Sequence, residues 1–295
     1  MGSAPDDQYL LSRDYIDCSR LNLQHALWTQ MFGYLLHPDI DTTNKDLKIA
    51  DVGTGTGAWL SDLAPHLPST CQLDGYDLDI AQAPPTEWLP PNMRLRTWDA
   101  FSPVPDELVG QRSDGVATEL ARSTKSADPI LTLLALAPHP AIQFNPTYTT
   151  VASNLTPSFL FIEPGGYLQW AEVDVPGMKL TKTNPSVSVD SMQQLFNMTA
   201  SQDPRLIPAW PDQLPELFAK EGLLDIKAHR VAAVPHLEYA MHHCNLMIYD
   251  MVAQRAANGS NAKEIMELVP KAAAESRKGA MFAFPRITIV GRKAS

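Results

Sequence analysis

Cysteine is scarce and scattered: Cys18, Cys71 and Cys244 are the three in 295 residues. Their spacing offers neither a disulfide framework nor a zinc-binding pair, so reduced thiols in a cytoplasmic protein are expected, with no metal. No apolar run approaches the roughly 20 residues a membrane-spanning helix needs. The opening MGSAPDDQYLLSRDY lacks a basic stretch followed by an apolar one, so neither a secretory signal nor a membrane partner is expected. Basic residues are in the minority, 23 Lys and Arg against 33 Asp and Glu, and they form no dense cluster. A formal charge of -10 without a basic, aromatic-studded groove argues against nucleic acid and for a small-molecule partner. No Gly-Lys-Ser/Thr closes the chain's glycine loop, which excludes a Walker-type phosphate loop.

What is present is enough apolar sequence, 44%, for one large domain or one domain with a lid. Residues 12–37 carry apolar positions at helical spacing, with Ser12 or Asp14 as the cap and Pro38 as the stop. A strand over 47–52 runs into the glycine loop, and a helix over 58–67 follows. A strand over 72–76 is closed by Asp77, and a strand over 93–98 by Asp99. Strand, helix, strand, connection, strand is the front half of a doubly wound parallel sheet. Further on, 114–118 is read as a fourth strand, 129–137 as a helix and 167–172 as a strand after the Pro164-Gly165-Gly166 turn. Helices are expected over 192–198, 211–220 and 236–257, and strands over 225–231 and 284–291.

The segment IADVGTGTGAWLSDLA, residues 49–64, carries the chemistry. A buried strand delivers the chain to a sharp turn. Gly53, Gly55 and Gly57 permit dihedrals closed to other residues and remove side chains that would block a ligand. Asp51, at the strand's end, can accept hydrogen bonds from the loop or from a ligand amine. Gly53, Gly55 and Ala58 also satisfy the dinucleotide form G-x-G-x-x-G/A, so a nicotinamide site is the rival. Asp77, 24 residues past Gly53, suits the ribose diol of either ligand. Asp99 suits an adenine amino group. The chain has no Tyr-x-x-x-Lys pair of the short-chain dehydrogenase kind and little room for a separate substrate domain, which favours a compact cofactor without a pyrophosphate.

Several stretches together resemble the fungal secondary-metabolism methyltransferases, a class I family that includes regulators of secondary metabolism. They are DYIDCSRLNLQHALWTQMFGYLLHPDI (14–40), IADVGTGTGAWL (49–60), LDGYDLDIAQAPPTEWLP (73–90), MRLRTWDAF (93–101), EPGGYLQWAEVDVPGM (163–178), LPELFAKEGLLDIKAHR (214–230) and FPRITIVGRK (284–293). The resemblance implies an α/β, Rossmann-like class I methyltransferase fold: a seven-stranded sheet with a terminal antiparallel strand and an N-terminal helical lid. It implies a lid over 1–44 and a catalytic domain over 45–295 with a helical insertion near 186–221. It implies S-adenosyl-L-methionine as cofactor, with Gly53, Gly55 and Gly57 around its methionine part. Asp77 would hold the ribose, Asp99 and Ala100 would face the adenine, and Tyr15 and Arg20 would close over it. The region after Asp114 is longer and less regularly patterned than the family's.

The activity so implied is methylation of a small metabolite on oxygen, nitrogen or sulfur. The protein's part is then mainly alignment, with a base where the acceptor must lose a proton. Histidine is the natural base near neutral pH. His25 on the lid helix and His139 in the irregular region are the candidates, with His242 and His243 on a C-terminal helix behind them. A regulator that keeps the fold without turnover, and a cofactor-bound scaffold for a different metabolite reaction, are the alternatives.

Overall fold

The first helix begins where the sequence offers a side-chain cap. Asp14 accepts from the backbone N–H groups of Ile16 and Asp17, at 2.8 and 3.1 Å, and α1 runs Tyr15–Phe32. Gly33 ends it in the left-handed region, at φ 76, with its N–H returned to the Thr29 carbonyl. The computed structural model describes residues 13–98, 129–134, 162, 164–202, 210–255 and 261–294. The buried stripe of α1 mixes Leu21, Leu27, Trp28 and Phe32 with Asp17, Arg20, Gln24 and His25. Arg20 is met within the helix by Asp17 and Gln24, while Asp17 and His25 reach out to Gln82 and Asp62.

The strands are β1 (Lys48–Val52), β2 (Gln72–Asp77), β3 (Met93–Thr97), β4 (Pro129–Leu134), β5 (Tyr167–Val173), β7 (Leu223–Val231) and β9 (Arg286–Lys293). They form one sheet in the order β3-β2-β1-β4-β5-β9-β7. The first five are parallel. β9 runs antiparallel between β5 and β7. The chain steps outward from β1 to β2 and β3, then returns to β4 on β1's other side. That reversal opens a crevice at the carboxyl ends of β1 and β4, the place where open parallel sheets bind ligands.

β4 corrects the sequence reading. PILTLL at 129–134 is a strand rather than the start of a helix, and it takes the fourth place that 114–118 was expected to fill. Six residues with a proline first and β-branched Ile130 and Thr132 are too short for a helix to bury, and period alone does not distinguish the two forms. Residues 114–118 lie outside the described residues.

The register sorts the sheet's two faces. Ile49, Leu73, Ala171, Val173 and Val290 pack in one core with Trp28, Trp59 and Leu60 of α1 and α2 (Ala58–Leu63). Tyr76, Leu168, Trp170, Ile287 and Ile289 face the other way, against Leu214, Leu217 and Phe218 of α4 (Leu214–Lys220). A second unit shares the first of these cores, through Met192, Leu195, Leu246, Ile265 and Phe282. Two short strands, β6 (Lys179–Lys182) and β8 (Ala280–Ala283), pair antiparallel across a hundred residues of chain. They carry α3 (Asp190–Gln202), α5 (Pro235–Arg255) and α6 (Ala262–Arg277), which pack on one another, and α1 packs on α5. The helix α6 and this small sheet were not legible in the sequence. The expected insertion near 186–221 is divided: α3 belongs to this cap, whereas α4 lies on the main sheet. Among the described residues no helix is long and apolar enough to cross a membrane.

Candidate active site

β1 ends at Val52 and the chain turns at once. Gly53, Gly55 and Gly57 all have positive φ, 81, 54 and 71. The turn is pinned to β2: the Gly53 and Thr54 N–H groups donate to the Tyr76 carbonyl at 2.7 and 3.0 Å. The Gly55 N–H donates to Asp77 Oδ2 at 2.8 Å. Space matters as well as dihedral. A Cβ on Gly57 would stand 3.0 Å from Met93 and 3.1 Å from Leu95. A Cβ on Gly75, beneath the loop, would overlap Leu95 and crowd the Thr54 hydroxyl. The loop can be drawn down on the strand ends because these positions carry no side chain.

Behind the loop lies an unmet polar demand. Asp51 is 1% exposed, and among the described residues neither carboxylate oxygen has a hydrogen-bond partner of good geometry, the Thr54 hydroxyl being the nearby donor. The Thr54 hydroxyl is likewise buried without one. Loss of solvation pushes the Asp51 carboxyl up to about 7; the nearby Thr54 hydroxyl tempers the shift and the negative Asp77 adds to it. A buried carboxylate without donors is expensive. A ligand bringing N–H or N⁺–H groups to the loop removes that cost, so the residues present fit a cofactor with a cationic amine.

α1 closes over this loop. Leu21 sits 3.7 Å from where a Gly55 Cβ would be. Thr56 Oγ1 donates to Asn22 Oδ1 at 2.7 Å. Arg13 pairs with Asp79 at 3.1 Å, and Gln82 Nε2 donates to Asp17 Oδ2 at 3.0 Å. The helix is thereby tied to the glycine loop and to the segment after Asp77.

The structure thus brings Asp51, the three glycines and Asp77 together, with α1 above them. Other expected residues stand differently. Asp77 already holds the loop through one oxygen, while its other accepts weakly from the Asp79 N–H at 3.3 Å. Tyr15 is 78% exposed. Arg20 is fully buried, its guanidinium turned to Asp17 and Gln24 rather than outward. Within α1, partners three and four residues away satisfy it first. Asp99, Ala100 and His139 lie outside the described residues.

The histidines are committed elsewhere. His25 Nε2 meets Asp62 Oδ2 at 3.0 Å, joining α1 to α2, and the ring borders a narrow recess with Trp28, Trp59, Gln169 and Thr288. His242 is buried between α5 and α6. Its Nδ1 accepts the Phe282 N–H at 3.1 Å, so Nε2 carries the proton and donates to Ser276 Oγ at 2.5 Å. Burial, with His243 adding to it, drops its pKa to about 4. It is a neutral structural histidine. His243 is exposed and stacks edge-on with Tyr239 at 4.6 Å.

One residue escaped sequence reasoning. Glu172 in β5 is 6% exposed, and burial pushes its carboxyl up to about 8. Its signal was available: Leu168, Trp170 and Glu172 share one side of the strand by period, so an acid stands where the alternation demands an apolar residue.

No family model matches this chain. Relatives exist. N-methyltransferase tcpN of Claviceps purpurea is 41% identical over 100 residues, covering 34% of this chain and 36% of that protein. Methyltransferase grgD of Penicillium sp. is 33% identical over 185 residues, covering 60% of this chain and 55% of that one. Secondary metabolism regulator LAE1 of Pyricularia oryzae is 29% identical over 106 residues, covering 36% of this chain and 32% of that one. The chain spans between about a third and just over half of the length of these relatives. Among solved structures, phosphoethanolamine N-methyltransferase 2 of Haemonchus contortus, with phosphomonomethylethanolamine and S-adenosylhomocysteine, matches with a TM-score of 0.51. It is 14% identical, over 100% of this chain and 62% of that one. A cyclopropane-fatty-acyl-phospholipid synthase-like protein of Lactobacillus casei matches at 0.50, 12% identical, over 96% of each chain. These two establish an α/β, Rossmann-like fold.

Proposed function

We propose, from the premise that this chain belongs to the fungal class I methyltransferase family of secondary metabolism, that it transfers the methyl group of S-adenosyl-L-methionine to a small metabolite. The observation that carries the reading is the Asp51 carboxyl, buried without a countercharge among the described residues, beneath a loop of three left-handed glycines. When bound, the cofactor supplies an electrophilic methyl group on a sulfonium. The chain's residues bind and orient it. Asp51 receives the cationic amine, and the loop's bare backbone lets the ligand approach. The second oxygen of Asp77 is available to a ribose hydroxyl, since a carboxylate accepts about four hydrogen bonds. α1 acts as the lid, and the cap of α3, α5 and α6 packs on the same side of the sheet as α1. On this reading the seven strands correspond to the family's sheet, with β9 in the place of its terminal antiparallel strand.

Nitrogen is the acceptor atom favoured by the name of the relative tcpN, an N-methyltransferase. A second reading, a regulator that binds cofactor without turnover, is favoured by the likeness to LAE1. Calorimetry with S-adenosylmethionine and S-adenosylhomocysteine tests the common core of both. Micromolar binding of each is expected, and absence of binding by either refutes the proposal. Methylated products from a fungal metabolite extract and the labelled cofactor then separate enzyme from regulator.

A further inference from the structure

Seven carboxyl side chains are buried among the described residues, and five are matched. Asp17 has Arg20 and Gln82. Asp74 has Arg96 and Gln72, and Asp174 has Arg230 and the Gly177 N–H. Glu238 has Arg286 and the Phe284 N–H, and Glu275 collects two backbone N–H groups and the Ser188 hydroxyl. The two exceptions are Asp51, at the glycine loop, and Glu172. Among the described residues, Glu172 Oε1 accepts from the N–H of its own neighbour Val173, at 2.9 Å, and the Trp170 indole N–H is turned towards the carboxyl. Apolar Ile287 stands opposite on β9. The cation at that end of the sheet, Arg230, is taken by Asp174 and Asp212. No cation among the described residues faces Glu172.

Its position is as informative as its isolation. The register runs Val52, Leu133, Trp170 across β1, β4 and β5. Glu172 is two strands over and two residues further towards the carboxyl edge. With about 4.8 Å between strands and 3.3 Å per residue, that is about 12 Å from where the chain enters the glycine loop. It stands at the same crevice edge as the loop, on the opposite face of the sheet from Asp51.

We propose that Glu172 is the acceptor-side catalytic residue: it pairs with the ammonium group of an amine substrate and takes the proton that the nitrogen must shed before it can attack. One N–H bond breaks and one O–H bond forms on a Glu172 oxygen, leaving the nitrogen with its lone pair and no net change of oxidation state. An ordinary exposed glutamate is too weak a base for an alkylammonium; burial without a countercharge raises its basicity towards the task. An amine is the fitting class because no cation among the described residues stands beside the buried Glu172 carboxylate.

This inference rests on the methyl-transfer reading, and its test keeps the two apart. Protein labelled with carbon-13 at the glutamate carboxyls and saturated with S-adenosylhomocysteine is titrated by NMR with benzylamine. Benzyl alcohol, of the same shape without the charge, is titrated in parallel. The Glu172 signal is identified by its loss in Glu172→Gln, or by its displacement in Glu172→Asp if the first variant does not fold. Benzylamine is expected to move it from its protonated towards its ionised position, and benzyl alcohol to leave it unmoved. The benzylamine Kd is expected to rise roughly tenfold in Glu172→Gln while the S-adenosylhomocysteine Kd changes by less than about twofold. A Glu172 carboxyl indifferent to benzylamine, or a Gln variant that binds it as the wild type does, overturns the assignment with the methyl-transfer reading intact. Wild-type protein that fails to bind S-adenosylhomocysteine overturns the methyl-transfer reading, and this inference with it.

Discussion

Replacing Asp51 with asparagine sets stability against binding in a way that can be measured. In the folded chain the carboxyl titrates at about 7, against an ordinary value of 3.8. Between those values the unfolded chain has lost a proton that the folded chain retains. Stability therefore falls as pH rises through that window, and is flat above it. The displacement corresponds to a ceiling of about 4 kcal/mol. The asparagine side chain carries no charge but leaves a buried amide without partners, a cost of about 1–3 kcal/mol. The Asp51→Asn variant should thus be more stable than wild type by about 1–3 kcal/mol at about pH 8. It should be no more stable at about pH 4, where the penalty of holding the wild-type carboxyl in the fold has all but gone. Urea denaturation at the two pH values checks the sign change. Calorimetry on the same samples should show S-adenosylmethionine affinity reduced by at least about tenfold in the variant. In wild type, affinity should fall about tenfold per pH unit below about 7, as the carboxyl takes up its proton. A variant less stable than wild type at both pH values, with cofactor affinity intact, would refute the reasoning that Asp51 is a buried anion held in reserve for a cationic ligand.

Other perturbations discriminate further. Gly57→Val forces a side chain onto Met93 and Leu95 from a positive φ; loss of about 2–4 kcal/mol of stability and of cofactor binding is expected, measured by thermal melts with and without S-adenosylhomocysteine. Thr56→Val removes the tie from the loop to Asn22 of α1. The cofactor's dissociation rate in stopped-flow should rise several-fold with little loss of global stability, about 1 kcal/mol. His242→Ala strands the Phe282 N–H and empties a buried site; it should cost about 2–4 kcal/mol in denaturant titrations but leave cofactor affinity unchanged, and a selective loss of turnover in a folded variant would restore His242 as a base.

The parts legible in the sequence are those whose structure is decided locally. Asp14 caps α1, and β1, the three glycines and α2 follow one another within sixteen residues, each with its own turn or apolar signal. Asp77 was found because it ends a strand beside that loop. The cap was not legible, because β6 and β8 meet only through residues such as Leu180 and Phe282, a hundred positions apart. α6 contains Pro270, which ordinarily breaks a helix and here broke the reading of one. Arg20 shows the limit of a motif carried over by likeness. It was expected to close over the cofactor, but its partners three and four residues away on the same helix are contacts that only three-dimensional placement reveals. Glu172 hid for the opposite reason: an acid in a strand reads as a solvent-facing residue until the strand is known to be covered on both sides.

β9 follows every other strand in the sequence, yet it lies inside the sheet, paired with β5 on one flank and β7 on the other. During synthesis, therefore, β5 and β7 wait for a bridging strand that leaves the ribosome after both, and so does β6, whose partner β8 immediately precedes it. This half of the molecule is built from long-range pairings of the kind that fold slowly. Deleting residues 284–293 would leave two edges gaping rather than trim one, so this one segment holds the two flanks of the sheet together.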